Sequence, residues 1–294
     1  MFSPMLSKDV DLNKLVFPVL VSPKYDGIRC VMYKGKTATR TLKPIPNIYT
    51  RTRLETELGD CGLDGELVIG SPTAHNCMQT TSSGIMSHTG KPDFTYYVFD
   101  YINDSYIEDK IPFFIRLDVA KYICEVAPSF VKFVEHHLID NIDQLLTYEE
   151  FIVSIGYEGI MVRKVDGHYK AGRSTVNEGL LLKMKRFIDE EAFIIGFEEK
   201  LHNANIATID PRGYTIRGKS QDNMVPADTL GAIVVYSDRW GEFNIGSGFD
   251  DTLRNEIWDN QDKYIGKQVT FKYQKHGCKD KPRAPIFRCF REDM

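Results

Sequence analysis

Lys24-Tyr25-Asp26-Gly27-Ile28-Arg29 comes shortly after the apolar run Leu15-Val16-Phe17-Pro18-Val19-Leu20-Val21, and its reading decides the fold. A run of that kind is expected to be a buried strand, so Lys24 leaves a rigid element and enters a short turn. The turn also carries a carboxylate, a glycine and a guanidinium. An amine held this way can be a covalent nucleophile if its charge is suppressed. The same six residues also suit a surface turn, because Lys-x-Asp-Gly is ordinary turn chemistry. The stretch alone leaves both readings open, and the rest of the chain separates them.

With 294 residues, 42% hydrophobic and 27% charged, the composition is that of a globular protein with room for one large or two medium domains. No run approaches the roughly 18 apolar residues of a membrane span, and the N-terminal residues lack a basic region followed by an apolar stretch. The six cysteines (30, 61, 77, 124, 278 and 289) form no Cys-x-x-Cys pair. That spacing argues against zinc or a disulfide framework and leads us to expect a reducing cytoplasm or nucleus. The net charge of −4 conceals a segregation. Residues 163–187 carry seven basic against two acidic residues, and residues 263–294 carry nine against three, leaving an acidic remainder. Basic stretches on an acidic body can bind phosphate, although a solvated basic face has the same pattern.

Period-two patterning and turn residues predict short β-runs through residues 12–100, at 16–21, 30–33, 65–69 and 95–99. Helical spacing follows at 117–126 and 142–155, then strands at 159–163 and 180–185. Beyond residue 189 a second β-rich unit is expected, with strands at 193–197, 231–236, 242–245 and 267–273 and a helix near 251–260. The boundary falls near 187–190. Residues 202–227 are polar and poorly periodic, and a loop of that length in a compact domain is usually functional or disordered.

Five further stretches follow the opening motif in order. They are Thr39-Arg40-Thr41-Leu42-Lys43-Pro44-Ile45-Pro46-Asn47, Asp64-Gly65-Glu66-Leu67, Tyr97-Val98-Phe99-Asp100-Tyr101, Glu158-Gly159-Ile160-Met161-Val162-Arg163 and Leu181-Leu182-Lys183-Met184-Lys185. On a strand, Lys183 and Lys185 share one face. Each stretch alone is weak, and Phe99 or Met161 by itself reads as core. Their joint order resembles the covalent nucleotidyltransferase superfamily, and within it the ATP-dependent DNA ligases of the minimal viral type. Tyr169-Lys170-Ala171-Gly172-Arg173-Ser174-Thr175, Lys279-Asp280-Lys281-Pro282-Arg283 and the ending from Arg283 to Asp293 extend that resemblance over essentially the whole chain.

The resemblance implies an α+β protein. A nucleotidyltransferase (ATP-grasp-like) adenylyltransferase domain over 1–188 precedes an OB-fold β-barrel domain over 189–294, with a latch-like insert at about 202–227. It implies ATP as AMP donor, a lysyl-AMP on Lys24, and sealing of 3′-OH/5′-phosphate nicks in duplex DNA during replication, repair or recombination. Lys183, Lys185 and Arg29 would form a positive field that favours the neutral amine of Lys24 and stabilises the transferring phosphoryl group. Glu158, with Glu66, would hold Mg²⁺, with Mn²⁺ as an alternative. Asp26 would orient the 3′-hydroxyl or the metal, Glu66 and Arg29 the ribose hydroxyls, and Phe99 would stack on adenine. Arg283 and Arg291 would reach the β- and γ-phosphates as the OB domain closes.

On the DNA side, the resemblance assigns Arg40, Lys43 and Arg173 to the nick, and Arg212, Arg217 and Lys219 of the insert to duplex phosphates. It implies a monomer that encircles nicked duplex DNA with the 202–227 latch, with no additional N-terminal DNA-binding domain. Where the family commonly has a lysine after the last acid, Met294 stands here, which leaves the roles of Glu292 and Asp293 open. The competing readings are an RNA ligase or an mRNA guanylyltransferase of the same superfamily, or a non-catalytic OB-type nucleic-acid binder. The chain is expected to be cytoplasmic or nuclear and to be of a viral kind.

Overall fold

The computed structural model describes residues 2–291; Glu292, Asp293 and Met294, for which the last motif implied a role, lie outside the described residues. The chain divides into two compact units, Met1–Lys185 and Arg186–Met294. Both helices and strands are present throughout, in the expected α+β manner.

In chain order the first unit runs β1 (Lys8–Asp9), β2 (Val19–Pro23), β3 (Ile28–Tyr33), β4 (Lys36–Ala38), α1 (Ile48–Leu58), β5 (Leu63–Ile69) and α2 (Cys77–Ile85). It continues with β6 (Phe94–Tyr101), α3 (Asp104–Glu108), α4 (Phe113–Val126), β7 (Val131–Phe133), β8 (His137–Ile139), α5 (Ile142–Ser154), β9 (Gly159–Lys164) and β10 (Leu182–Lys185). These strands form two five-stranded sheets, ordered β1-β10-β9-β2-β8 and β4-β3-β5-β6-β7. β2 and β3 lie in different sheets, so the segment from Lys24 to Gly27 crosses from one to the other.

Each sheet has its own core. Val19, Val21, Ile160, Val162 and Leu182 of the first pack under Leu145 and Ile152 of α5. Asn141 begins α5 by accepting the Gln144 backbone N–H, which satisfies one of the orphan donors of the first turn. Cys30, Met32, Leu63, Leu67, Tyr96 and Val98 of the second sheet pack with Leu54, Ile85 and Ala120 from α1, α2 and α4. A smaller cluster joins Met5, Val31, Ile102 and Tyr169 to Leu180 and Leu181, tying the segment before β10 to the second sheet.

The expectation of β-runs alone between residues 12 and 100 is corrected by α1 and α2. In α1 the sequence Ile48-Tyr49-Thr50-Arg51-Thr52 is rich in β-branched and aromatic residues, which reads as strand. Its helix is set instead by tertiary burial of Thr50 and Leu54 and by Asn47, whose side chain accepts the Thr50 N–H at 2.8 Å. No helix among the described residues is long and apolar enough to cross a membrane.

The second unit contains β11 (Ile188–Asn203), β12 (Ala207–Ile209), β13 (Thr215–Arg217), β14 (Met224–Ser237), β15 (Gly241–Ile245), α6 (Asp251–Asp259), α7 (Gln261–Tyr264), β16 (Gln268–Gln274) and β17 (Arg283–Phe290). Its five-stranded antiparallel sheet is ordered β15-β14-β11-β16-β17. A bridge between Ser247 and Ile286, with the Phe287 N–H on the Ser247 carbonyl at 2.8 Å, links the two edges of this sheet. Ile194, Ile233, Val235, Phe243, Ile257 and Phe271 fill its core.

β11 and β14 are far longer than their patterning suggested and run out antiparallel as far as Asn203 and Met224. Between them β12 and β13 form a separate two-stranded hairpin, paired Ala207 to Arg217, so residues 202–227 are folded rather than an irregular loop. The cause is local polar bonding, which hydrophobic periodicity does not register. Asn203 Oδ1 accepts both the backbone and side-chain N–H groups of Asn205, and Asn205 donates in turn to the Ser220 carbonyl.

Candidate active site

The backbone brings the opening motif and its partners together by close approach. The Lys24 N–H donates to the Gly159 carbonyl at 2.8 Å, docking the turn after β2 on the start of β9. A Cβ on Gly27 would lie 2.2 Å from the Leu67 carbonyl oxygen, and one on Gly159 would lie 2.1 Å from that of Met184. Both positions therefore require glycine, one to bring Lys24 past β5 and the other to bring Glu158 against β10.

A cavity of about 610 Å³ is walled by both sheets. Lys24, Met161, Lys183 and Lys185 line it from the first sheet, and Arg29, Glu66 and Phe99 from the second. Lys183 and Lys185 do share one face of β10. Glu158, only 5% exposed, lies behind this wall, with one carboxylate oxygen 2.5 Å from Lys24 Nζ and the other accepting from Lys185 Nζ. Asp26 is buried and is not part of the cavity wall; its carbonyl accepts the Cys77 thiol.

The electrostatics around Lys24 differ from the expected positive field. Burial pulls the Lys24 ammonium down, but Glu158, then Glu66 and Asp26, outweigh it, so its pKa lies above the ordinary lysine value. Lys185 is lowered, first by burial and then by the charge of Lys24. Burial pushes the Glu158 carboxyl up, yet Lys24 and Lys185 bring it down to about 2. Glu66 behaves in the opposite way. Burial raises it to about 7 despite Lys24 and Arg29 nearby. The two site carboxyls therefore differ in protonation near neutral pH, which separates their chemical capacities.

Arg29 is bound on two sides. Its guanidinium donates to both oxygens of Asp64, at 2.5 and 2.6 Å, and lies 4.6 Å over the Phe99 ring. Tyr169 donates to the same Asp64 carboxylate at 2.9 Å. Phe99 falls at a bulge, since Asp64 pairs with Asp100 and Gly65 with Val98. Asp100 is completely buried between Arg116 and Arg163. Asp64 and Asp100 lie inside quoted motifs, so their acidity was visible, but nothing in the sequence tied Arg116 to them. Met78, Met86, His136 and Arg163 also line the cavity, and none carried an expected role.

The exposed cations Arg40, Lys43 and Arg173 sit on the same cavity, and Arg173 donates to the Ser7 carbonyl at 2.6 Å. In the second unit, Arg291 pairs with Glu191 at 2.9 Å, and Arg283 begins β17. Within the hairpin, Arg212 donates through Nε and Nη2 to Asp210, and Arg217 donates to the Asn205 carbonyl. Those two guanidiniums support the hairpin itself. Lys219 is exposed.

A lysine, two carboxyls and further lysines in a cleft walled by two sheets, followed by a β-rich second unit, define the nucleotidyltransferase class. Residues 4–185 match the family model of the ATP dependent DNA ligase domain, and residues 223–291 match that of the DNA ligase OB-like domain. The chain belongs to the ATP-dependent DNA ligase family. It is similar to a solved Chlorella virus DNA ligase-adenylate, 35% identical over 100% of this chain and 99% of that one, with a TM-score of 0.55. A solved Lig E DNA ligase shares the fold at 22% identity and a TM-score of 0.69, covering 99% of this chain and 100% of that chain. The DNA ligase of African swine fever virus is 24% identical over 149 residues, 50% of this chain and 34% of that protein. The match thus spans about a third of that relative's length.

Proposed function

We propose that this chain is an ATP-dependent DNA ligase that seals 3′-OH/5′-phosphate nicks in duplex DNA through a lysyl-AMP on Lys24. The contact of Lys24 with Glu158, beside Lys185 and inside a cavity rimmed by Arg40, Lys43 and Arg173, carries this reading. Lys24 Nζ attacks the α-phosphorus of ATP and pyrophosphate leaves. The AMP then passes to the 5′-phosphate of the nick, and the 3′-hydroxyl displaces it.

The amine must lose its proton before attack. Lys24 is held as an ammonium by Glu158, so the reaction depends on weakening that ion pair. Glu158 is ionised and next to the cavity, and it fits Mg²⁺, which asks for one or two carboxylates and otherwise keeps waters and phosphate oxygens. The ion would supply positive charge that offsets the triphosphate and favours the neutral amine. Lys183 and Lys185 present donors to the phosphate oxygens, Phe99 offers a flat ring to adenine, and Arg40 and Arg173 offer guanidiniums to the nick phosphate. The second unit, with Arg283 and Arg291, assists ATP chemistry, and the hairpin grips duplex DNA through exposed cations such as Lys219. The adenylyltransferase part is placed at 1–188, the OB part at 189–294, and the working form is a monomer.

Intact mass with and without ATP, followed by a nick-sealing gel, tests the proposal. The expected result is a gain of one AMP that Lys24→Ala abolishes, together with closure of a nicked duplex. Label taken only from GTP, or sealing of nicked RNA but not DNA, overturns it.

A further inference from the structure

The segment before β1 lies along the loop that joins β9 to β10, and its backbone meets that loop at several points. Leu6 bridges Arg173 in parallel: the Leu6 N–H donates to the Gly172 carbonyl at 2.7 Å, and the Ser174 N–H donates to the Leu6 carbonyl at 2.8 Å. One residue earlier, the Met5 N–H donates to the Tyr169 hydroxyl at 3.0 Å, and the Met5 side chain is fully buried in a cluster with Tyr169, Leu180 and Leu181. Further on, the Lys8 and Val10 N–H groups donate to the carbonyls of Leu181 and Lys183 at 3.2 and 3.0 Å. The segment is therefore anchored on both sides of Ser7, whose carbonyl accepts from Arg173 Nη1 at 2.6 Å.

The nature of that acceptor matters. Arg212 and Arg291 are bonded to carboxylates, Asp210 and Glu191, which offset their charge. On the loop itself, Glu178 is occupied by Lys170 at 2.7 Å and by the Thr175 N–H at 2.9 Å. Arg173 is exposed and is held instead by a neutral carbonyl, which fixes direction without cancelling charge. A guanidinium has five N–H donors, so one bond to a carbonyl leaves donors for an anion. An arginine on a loop loses rotamer freedom when it closes on a phosphate, and a side chain ordered beforehand avoids that cost. Gly172, at a φ of 92°, adds backbone freedom next to Arg173, so the order comes from the neighbouring segment.

We propose that residues 5–7 are a brace that pre-orients Arg173 for the 5′-phosphate of the nick, with Leu6 and Tyr169 as its positioning residues. This rests on Arg173 being the guanidinium that meets that phosphate, and it adds the groups that hold the guanidinium ready.

The test is a double-mutant cycle on the full chain, read as single-turnover sealing of a nicked duplex by protein already carrying AMP. Preloading keeps the reaction with ATP out of the measurement. Leu6→Pro removes the N–H that bonds the Gly172 carbonyl and leaves the Lys8 and Val10 bonds in place. It should slow sealing by about 2- to 12-fold, the worth of ordering one long side chain. In an Arg173→Ala background the same change should cost less than about twofold, because the side chain it aims is gone. A loss through stability alone would scale both backgrounds equally. Unchanged sealing in Leu6→Pro, or an equal loss with and without Arg173, overturns the brace. If Leu6→Pro shows no cooperative melting or takes up no AMP, Tyr169→Phe, which deletes the hydroxyl that accepts the Met5 N–H, decides by the same cycle. Sealing at the wild-type rate in Arg173→Ala would instead refute the nick-phosphate reading on which the brace rests.

Discussion

Glu158 in the first unit and Asp210 in the second are both carboxylates that hold basic side chains, and they do so on opposite length scales. Asp210 is bonded by Arg212 two residues away and by the Tyr214 N–H four residues away, closing the turn of its own hairpin. Glu158 is bonded by Lys24, 134 positions earlier, and by Lys185, 27 positions later. The first arrangement is complete within one short segment. The second exists only when two sheets have formed and two glycines let their backbones touch. Local ionic clusters shape a loop, whereas a long-range one ties the Lys24 amine to the integrity of the fold.

Breaking the long-range cluster should have the largest effect. Glu158→Gln removes the charge that holds Lys24 and Lys185 side by side, and adenylation should fall by about 10²-fold or more. A loss below tenfold, read as single-turnover lysyl-AMP formation, would detach Glu158 from the chemistry. Arg173→Ala, at the rim, should spare adenylation but slow sealing by roughly 10- to 150-fold, the range for a charge-assisted hydrogen bond. Equal losses in both steps would remove Arg173 from the nick phosphate.

The carboxyl beside Glu158 gives a pH test. The folded-state pKa of Glu66 is raised to about 7 from an ordinary value of 4.5, so the fold binds its proton more tightly than the unfolded chain. Its contribution to stability is fully present below about 4.5 and is lost as pH rises to about 7. Glu66→Gln should flatten the pH dependence of denaturant midpoints between those values by about 1–3 kcal/mol, discounted for its partial exposure. An unaltered profile would contradict a half-buried, proton-holding Glu66. Glu158, held at about 2, contributes the other way: its stabilisation is present above 4.5 and disappears as pH falls through about 2.

The smallest effect on chemistry should come from the local cluster. Asp210→Ala unties Arg212 and the Tyr214 N–H, so limited proteolysis should cut the hairpin sooner and nick affinity should drop several-fold. Reaction with ATP should stay within about twofold of wild type. A large loss of adenylation in Asp210→Ala would end the separation of the two clusters.

Much of this contrast follows from what a linear pattern can carry. Strands such as β3, β5, β6 and β9 were visible because their residues alternate, and α5 because its apolar residues recur at helical spacing. The helix α1 was not, since its β-branched residues point to strand and its burial depends on neighbours far along the chain. The hairpin gave no periodicity signal, because asparagines and Asp210 rather than apolar spacing hold it together, and only the resemblance implied a latch there. In the site, Lys24, Arg29, Glu66, Phe99, Lys183 and Lys185 were legible as motif residues, and they line one cavity. Arg116 carried no signal, because it draws its meaning only from Asp100.

The sequence by itself determined the inventory of groups and the order of the motifs. The need for glycine at positions 27 and 159 came from the close approach of the Leu67 and Met184 carbonyls, which belong to the tertiary structure. Tertiary structure also decided the state of the groups in that inventory. It paired Lys24 with Glu158 where a cationic field was expected, placed Asp26 off the cavity wall, left Glu66 near neutrality and committed Arg212 to its own hairpin. The physical reason is that a charge's protonation and partners depend on burial and on distances of a few ångströms, and those are set by contacts between residues far apart in the chain.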